Sequence, residues 1–178
     1  MVQRASPYFG PAIMTVSLST LSDRVLLERL CDAARAIALE HFRGSALDTQ
    51  NKRAPGDGYD PVTIAERRIE ERLRAMLAEA RSQDGVLGEE FGRRDGPSGR
   101  LWVLDPIDGT RAFMSGLLNW GVLIALHDGT QPILGALDQP YTGERFIGDL
   151  GGATPQAVLT RDGATTALAA RPCPDLRE

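Results

Sequence analysis

The residues best suited to chemistry lie in one run, Asp105-Pro106-Ile107-Asp108-Gly109-Thr110. Asp105 follows the apolar stretch Trp102-Val103-Leu104, which reads as a buried strand, so the carboxylate stands where a side chain leaves the core for a cleft. Pro106 fixes its own φ near −65° and Gly109 permits a positive φ, so the backbone can fold Asp108 back beside Asp105. Two carboxylates a few ångströms apart repel by several kcal/mol at an effective dielectric of about 20, so one must be protonated or a cation must sit between them. Oxygen ligands without neighbouring His or Cys select magnesium, calcium or manganese over zinc. Gly88-Glu89-Glu90 follows the apolar pair Val86-Leu87, so Glu89 can converge on the same ion from another strand end. Behind the aspartates, Gly109 and Thr110 open a segment whose backbone N–H groups could hold an anion. Carboxylates, cation and anion cradle together describe a phosphate site.

Each fragment also has a bland reading. A lone Asp-Pro-x-Asp-Gly is more often a solvated turn. Glu66 reads as the acid of a helix-capping box, Cys31 as a packing residue, and His41 and His127 as ordinary residues, since no serine elbow or cysteine partner accompanies them. The combined pattern decides the matter. Six specified residues at roughly 5% usage each arise by chance in a chain of this length only about a few times per million sequences.

Several elements must position these groups. Leu26, Leu27, Leu30, Ala34, Ile37, Ala38 and Phe42 recur at helical spacing, with Ser22 as cap and Gly44 as stop. Residues 48–59 are polar, hold Pro55, Gly56 and Gly58, and predict a loop. Thr63 and Glu66 form a capping box for a second helix, whose buried stripe is Ile64, Ile69, Leu73, Met76, Leu77 and Ala80. Beyond Asp84 come short apolar runs at 86–87, 101–104, 120–126, 133–137, 145–147, 157–160 and 165–169. The turn residues between them favour antiparallel hairpins. The expected fold class is α+β, two helices packed on a twisted antiparallel sheet. Residues 1–20 are expected as a disordered extension, 21–170 as one metal-binding domain, and 171–178 as the start of a further helix and a second domain.

Bulk properties agree with a small-molecule partner. The 178 residues are 42% hydrophobic and 25% charged, ordinary for one globular domain. Twenty basic and 24 acidic residues give a formal charge of −4 with no basic run, which argues against nucleic acid and anionic membrane as partners. Cys31 and Cys173 lie far apart and predict neither a disulfide framework nor a zinc knuckle. No signal peptide or spanning helix is expected, and cytoplasmic localisation is the default.

At this point the residues resemble the inositol monophosphatase family. Residues 102–110 are similar to its first metal-binding motif, Gly88-Glu89-Glu90 to its upstream glutamate motif, and Asp60-Pro61-Val62-Thr63 to its loop-to-helix motif. Within the family, Arg111-Ala112-Phe113-Met114-Ser115-Gly116, Trp120-Gly121 and Asp138-Gln139-Pro140 are most similar to the histidinol-phosphate phosphatase branch. The resemblance implies that Glu89, Asp105, the Ile107 carbonyl and Asp108 ligate Mg2+ and that Gly109 and Thr110 hold the substrate phosphate. It further implies that Thr110 and Glu89 orient and deprotonate water in a two-metal mechanism, and that Lys52 belongs to a loop closing over the site. The implied substrate is a small phosphorylated alcohol: histidinol phosphate, which would place the chain in histidine biosynthesis, with inositol monophosphate as the alternative. Glu66 stands where the family usually has Asp. The family also carries a second α/β domain, with another metal-binding Asp and most residues that recognise the alcohol, and these 178 residues do not contain it. A third reading is therefore a truncated, catalytically inactive metal-binding fragment; a homodimer stays open.

Overall fold

The structure is a computed structural model and describes residues 17–44, 49–51, 61–152 and 154–172. Among them the elements are α1 (Asp23–His41), β1 (Thr49–Asn51), β2 (Pro61–Thr63), α2 (Ile64–Ala80), β3 (Gly85–Gly88), β4 (Gly92–Arg94), β5 (Leu101–Asp108), α3 (Thr110–Met114), β6 (Gly121–His127), β7 (Pro132–Gln139), β8 (Glu144–Asp149), β9 (Gln156–Arg161) and β10 (Ala164–Ala167). Lys52, Asp60 and Cys173 lie outside the described residues, as do 1–16 and 173–178.

The eight-stranded sheet runs β10-β9-β8-β7-β6-β5-β3-β4. From β5 to β10 every neighbouring pair is antiparallel, as the turn residues predict; at the last hairpin Asp162 and Gly163 both adopt positive φ, of 50° and 77°. The sheet is nonetheless mixed, because β3 lies parallel to β5 and carries β4 as an unexpected hairpin partner. Three exposed residues, Gly92, Arg93 and Arg94, make up β4, and such a strand has no apolar alternation to reveal it.

α1 and α2 cover one face of the sheet. Leu26, Leu27 and Leu30 of α1 and Ile69, Leu73 and Leu77 of α2 are fully buried against Trp102, Leu104, Val122, Ile124 and Leu126. Each such side chain contributes about 1.5–3 kcal/mol by leaving water. Cys31 packs in this layer, and burial pushes its thiol up to about 12. Alternate residues of the strands point the other way. On that open face Val103, Leu123, Ala125, Leu137 and Phe146 line a broad apolar cleft of about 650 Å³, with Leu137 43% exposed.

The end of α1 and the predicted loop after it both differ from expectation. The chain leaves α1 through a left-handed residue, but it is Arg43 (φ 58°) and not Gly44. The Arg43 guanidinium donates to the Gly116 carbonyl and lies 5.0 Å from the ring centres of both Phe42 and Tyr141, so tertiary contacts offset the local strain. The predicted loop also contains a strand: Thr49–Asn51 pairs with Pro61–Thr63, closing a short ladder that leads straight into α2. Among the described residues no helix is long and apolar enough to cross a membrane.

Candidate active site

β5 continues past Leu104 through the whole Asp-Pro-Ile-Asp segment. In a regular strand, residues three apart face opposite sides. Here Asp105 pairs with Leu123 and Asp108 with Gly121, so three steps along β5 oppose two along β6. The extra residue is a β-bulge, and it turns both carboxylates into one cleft. Pro106 sits inside the bulge and beyond the last β3–β5 pair, where no ladder bond is lost. The expectation that Pro106 and Gly109 bend the chain is met, with the bulge as the agent.

Gly109 follows with φ 90° and caps α3; a Cβ there would come within 2.7 Å of the Asn119 carbonyl oxygen. The first residues of α3, Thr110 and Arg111, line the cleft with Gly109, and the amides at a helix start have no intrahelical partner. The cleft holds about 380 Å³ and is lined by Glu89, Asp105, Ile107, Asp108, Gly109, Thr110 and Arg111. All the catalytic, metal and phosphate candidates read from the sequence therefore meet at one place; Lys52, the possible loop contact, lies outside the described residues. His41 and His127 are elsewhere: His41 meets Arg68, and His127 Nδ1 accepts the Gly129 N–H in a turn.

One residue of this centre was read only as a cap. Glu66 does accept the Thr63 N–H, and the predicted capping box is formed with both of its arms. The other oxygen of Glu66 accepts from the Thr110 hydroxyl at 2.6 Å. Glu66 is wholly buried, and that burial raises its pKa against the opposing effect of its hydrogen bonds to Thr110 and Thr63. A local explanation was sufficient in the sequence, and the contact 44 positions away lay outside any spacing rule. Arg111 at the cleft wall was likewise read only as part of a motif.

Electrostatically the cleft is short of positive charge. Burial pushes Asp105 up from its ordinary 3.8 to about 7, with Glu89, Asp108 and Glu66 adding in the same direction and a hydrogen bond to Glu89 holding the proton. Its Oδ1 is buried and has no hydrogen-bond partner. Among the described residues no group of three or more His, Cys, Asp or Glu stands in the geometry of a formed metal site. The donors that converge here are all oxygens, three carboxylates and the Ile107 carbonyl, with one oxygen atom orphaned; this set fits a hard divalent cation.

Comparison with known proteins gives the family. The model of the inositol monophosphatase family matches residues 23–161, and the chain belongs to that family. It is 40% identical over 130 residues to a histidinol-phosphatase of Streptomyces coelicolor, covering 71% of this chain and 47% of that protein. A histidinol-phosphatase of Mycobacterium tuberculosis is 40% identical over 121 residues, covering 68% and 46%. The fold matches the structure of an inositol monophosphatase from Zymomonas mobilis with a TM-score of 0.64 and 36% identity, over 85% of this chain and 54% of that one. The chain spans about half the length of the curated relatives it matches.

Proposed function

We propose that this chain carries the cation- and phosphate-binding half of a magnesium-dependent phosphate-monoester hydrolase whose substrate is histidinol phosphate, acting in cytoplasmic histidine biosynthesis. The observation that carries the reading is the bulged β5–α3 junction, which gathers Glu89, Asp105, the Ile107 carbonyl, Asp108, Gly109 and Thr110 around one cleft. The substrate rests on the likeness of residues 111–116 to the histidinol-phosphate branch and on the two relatives at 40% identity.

Glu89, Asp105, Asp108 and the Ile107 carbonyl would hold Mg2+. Bound there, the ion supplies the positive charge that neutralises phosphate and acidifies water. The protein's own residues do the rest. Backbone N–H groups of Gly109 and Thr110 receive the phosphate oxygens at the start of α3. Because Thr110 donates its only hydroxyl proton to Glu66, its oxygen lone pairs are left to accept a hydrogen bond from a water molecule in the cleft. Glu89 stands as the base that takes one proton from that water as it attacks phosphorus in line. The ester P–O bond breaks and the departing alkoxide is protonated by solvent.

The test is direct. Purified chain with Mg2+ should release phosphate from histidinol phosphate faster than from inositol monophosphate, and Asp105→Asn should abolish the release. Preference for inositol monophosphate would move the assignment to the alternative substrate, which the 36% identical Zymomonas mobilis neighbour favours. A second reading rests on the open apolar sheet face: the chain binds metal without turnover and associates through Leu137, Phe146 and their neighbours, a second copy being one occupant. A monodisperse monomer on size exclusion with full activity would rule that out.

A further inference from the structure

Two buried glutamates one turn apart on α2 bond two different segments that contribute residues to the cleft. Glu66 takes Thr110, and Glu70, equally buried, takes the turn after β3. Glu70 Oε2 accepts the N–H of Glu90 at 2.7 Å and Oε1 accepts that of Phe91 at 3.2 Å. Arg74 Nε donates to the same Oε1 at 2.7 Å, and Arg74 also donates to the Gly92 carbonyl. The turn is thus held at three consecutive residues by one carboxylate–guanidinium pair. Charge-assisted bonds of this kind are roughly twice as strong as neutral ones.

Gly88 makes the arrangement sterically feasible. A Cβ on it would lie 1.9 Å from Glu70 Oε1 and 2.6 Å from Oε2, so the carboxylate occupies the space a side chain would need. Gly88, the last residue of β3, faces α2, and Glu89, the first residue of the turn that follows, lines the cleft.

We infer that Glu70 is a positioning residue that aims Glu89 at the cation, acting through the backbone of residues 90–91 without touching cation or substrate. The inference rests on Glu89 being a cation ligand, as proposed above. Glu70→Gln keeps the volume but turns one acceptor into a donor that faces backbone N–H groups. Gly88→Ala displaces the same carboxylate while leaving Glu70 in place. Glu71→Gln, an exposed neighbour on α2, is the control.

Two readouts on the folded proteins decide it: amide hydrogen exchange at residues 90 and 91, and Mn2+ affinity by electron paramagnetic resonance. Both Glu70→Gln and Gly88→Ala should expose the two amides to exchange, leave those of α1 unchanged, and weaken Mn2+ by about 10–100-fold, the usual effect of losing a ligand's support. Glu71→Gln should match the parent in both. Protected amides in Glu70→Gln, or exposed amides with parent-like Mn2+ affinity, would overturn the inference. If Glu70→Gln does not fold, Gly88→Ala decides by the same two criteria. Equal Mn2+ binding by the parent and Glu89→Gln would instead sink the ligand reading itself, and the positioning role with it.

Discussion

Asp138 and Asp105 lie on neighbouring parts of one sheet, face opposite ways, and are treated in opposite fashion. Asp138 points into the helix layer, is fully buried, and is ringed by arginines: Arg35 grips it with two bonds of 3.0 and 2.7 Å, and Arg145 adds one of 2.6 Å. Asp105 points to the open side, meets three other carboxylates, and has one oxygen with no partner. A buried carboxylate that serves the fold is neutralised by the fold. One that is left with a proton near neutrality and an orphaned oxygen is poised for a charge that comes from outside.

The contrast predicts a crossover in mutant behaviour, and the largest effect is on activity. Asp105→Asn should lower metal-supported phosphate release by more than about 100-fold with little loss of thermal stability, because it removes repulsion along with the ligand. Asp138→Ala should do the reverse, costing about 3–5 kcal/mol of stability by leaving two partly buried guanidinium groups without their counter-charge; chemical denaturation of both variants checks the pair. Thr110→Ala should slow phosphate release by about 100-fold or more while binding of Mn2+ holds. Gly109→Ala should cost about 1–3 kcal/mol because φ is 90° and the added Cβ meets the Asn119 carbonyl. At the small end, Arg93→Ala should change stability by less than about 0.5 kcal/mol, since its pair with Asp95 is exposed on both sides.

The same contrast has a pH signature. Asp105 binds its proton more tightly folded than unfolded, so the metal-free folded state carries more protons between about pH 4 and 7. Its contribution to stability is full below pH 4 and is lost as pH rises through about 7. Thermal melts of the metal-free protein should show this slope, and Asp105→Asn should lack it.

Much of the candidate site was legible because its chemistry is contiguous. Asp105 to Thr110 lie in six consecutive positions, and Glu89 announces itself at another strand end. Glu66 was half legible: its spacing from Thr63 reveals the cap, but the partner that gives it a chemical role enters through α3. The core face was legible from the alternation of Trp102 and Leu104 or Val122, Ile124 and Leu126. Short polar strands were not, since β1 and β4 carry no apolar pattern to reveal them. Nor was the left-handed Arg43, whose conformation is bought by Phe42, Gly116 and Tyr141. The bulge in β5 was visible only as an awkward three-residue spacing between two aspartates, and pairing with β6 was needed to explain it.

Calorimetric titration of Mg2+ into the parent and Asp105→Asn near pH 6.5, repeated in two buffers of different ionisation enthalpy, tests the central claim most directly. The parent should bind with net release of a proton, and Asp105→Asn should bind about 100-fold more weakly without that release. Equal affinity and equal proton release in the two proteins would show that the orphaned carboxylate is not the seat of the cation.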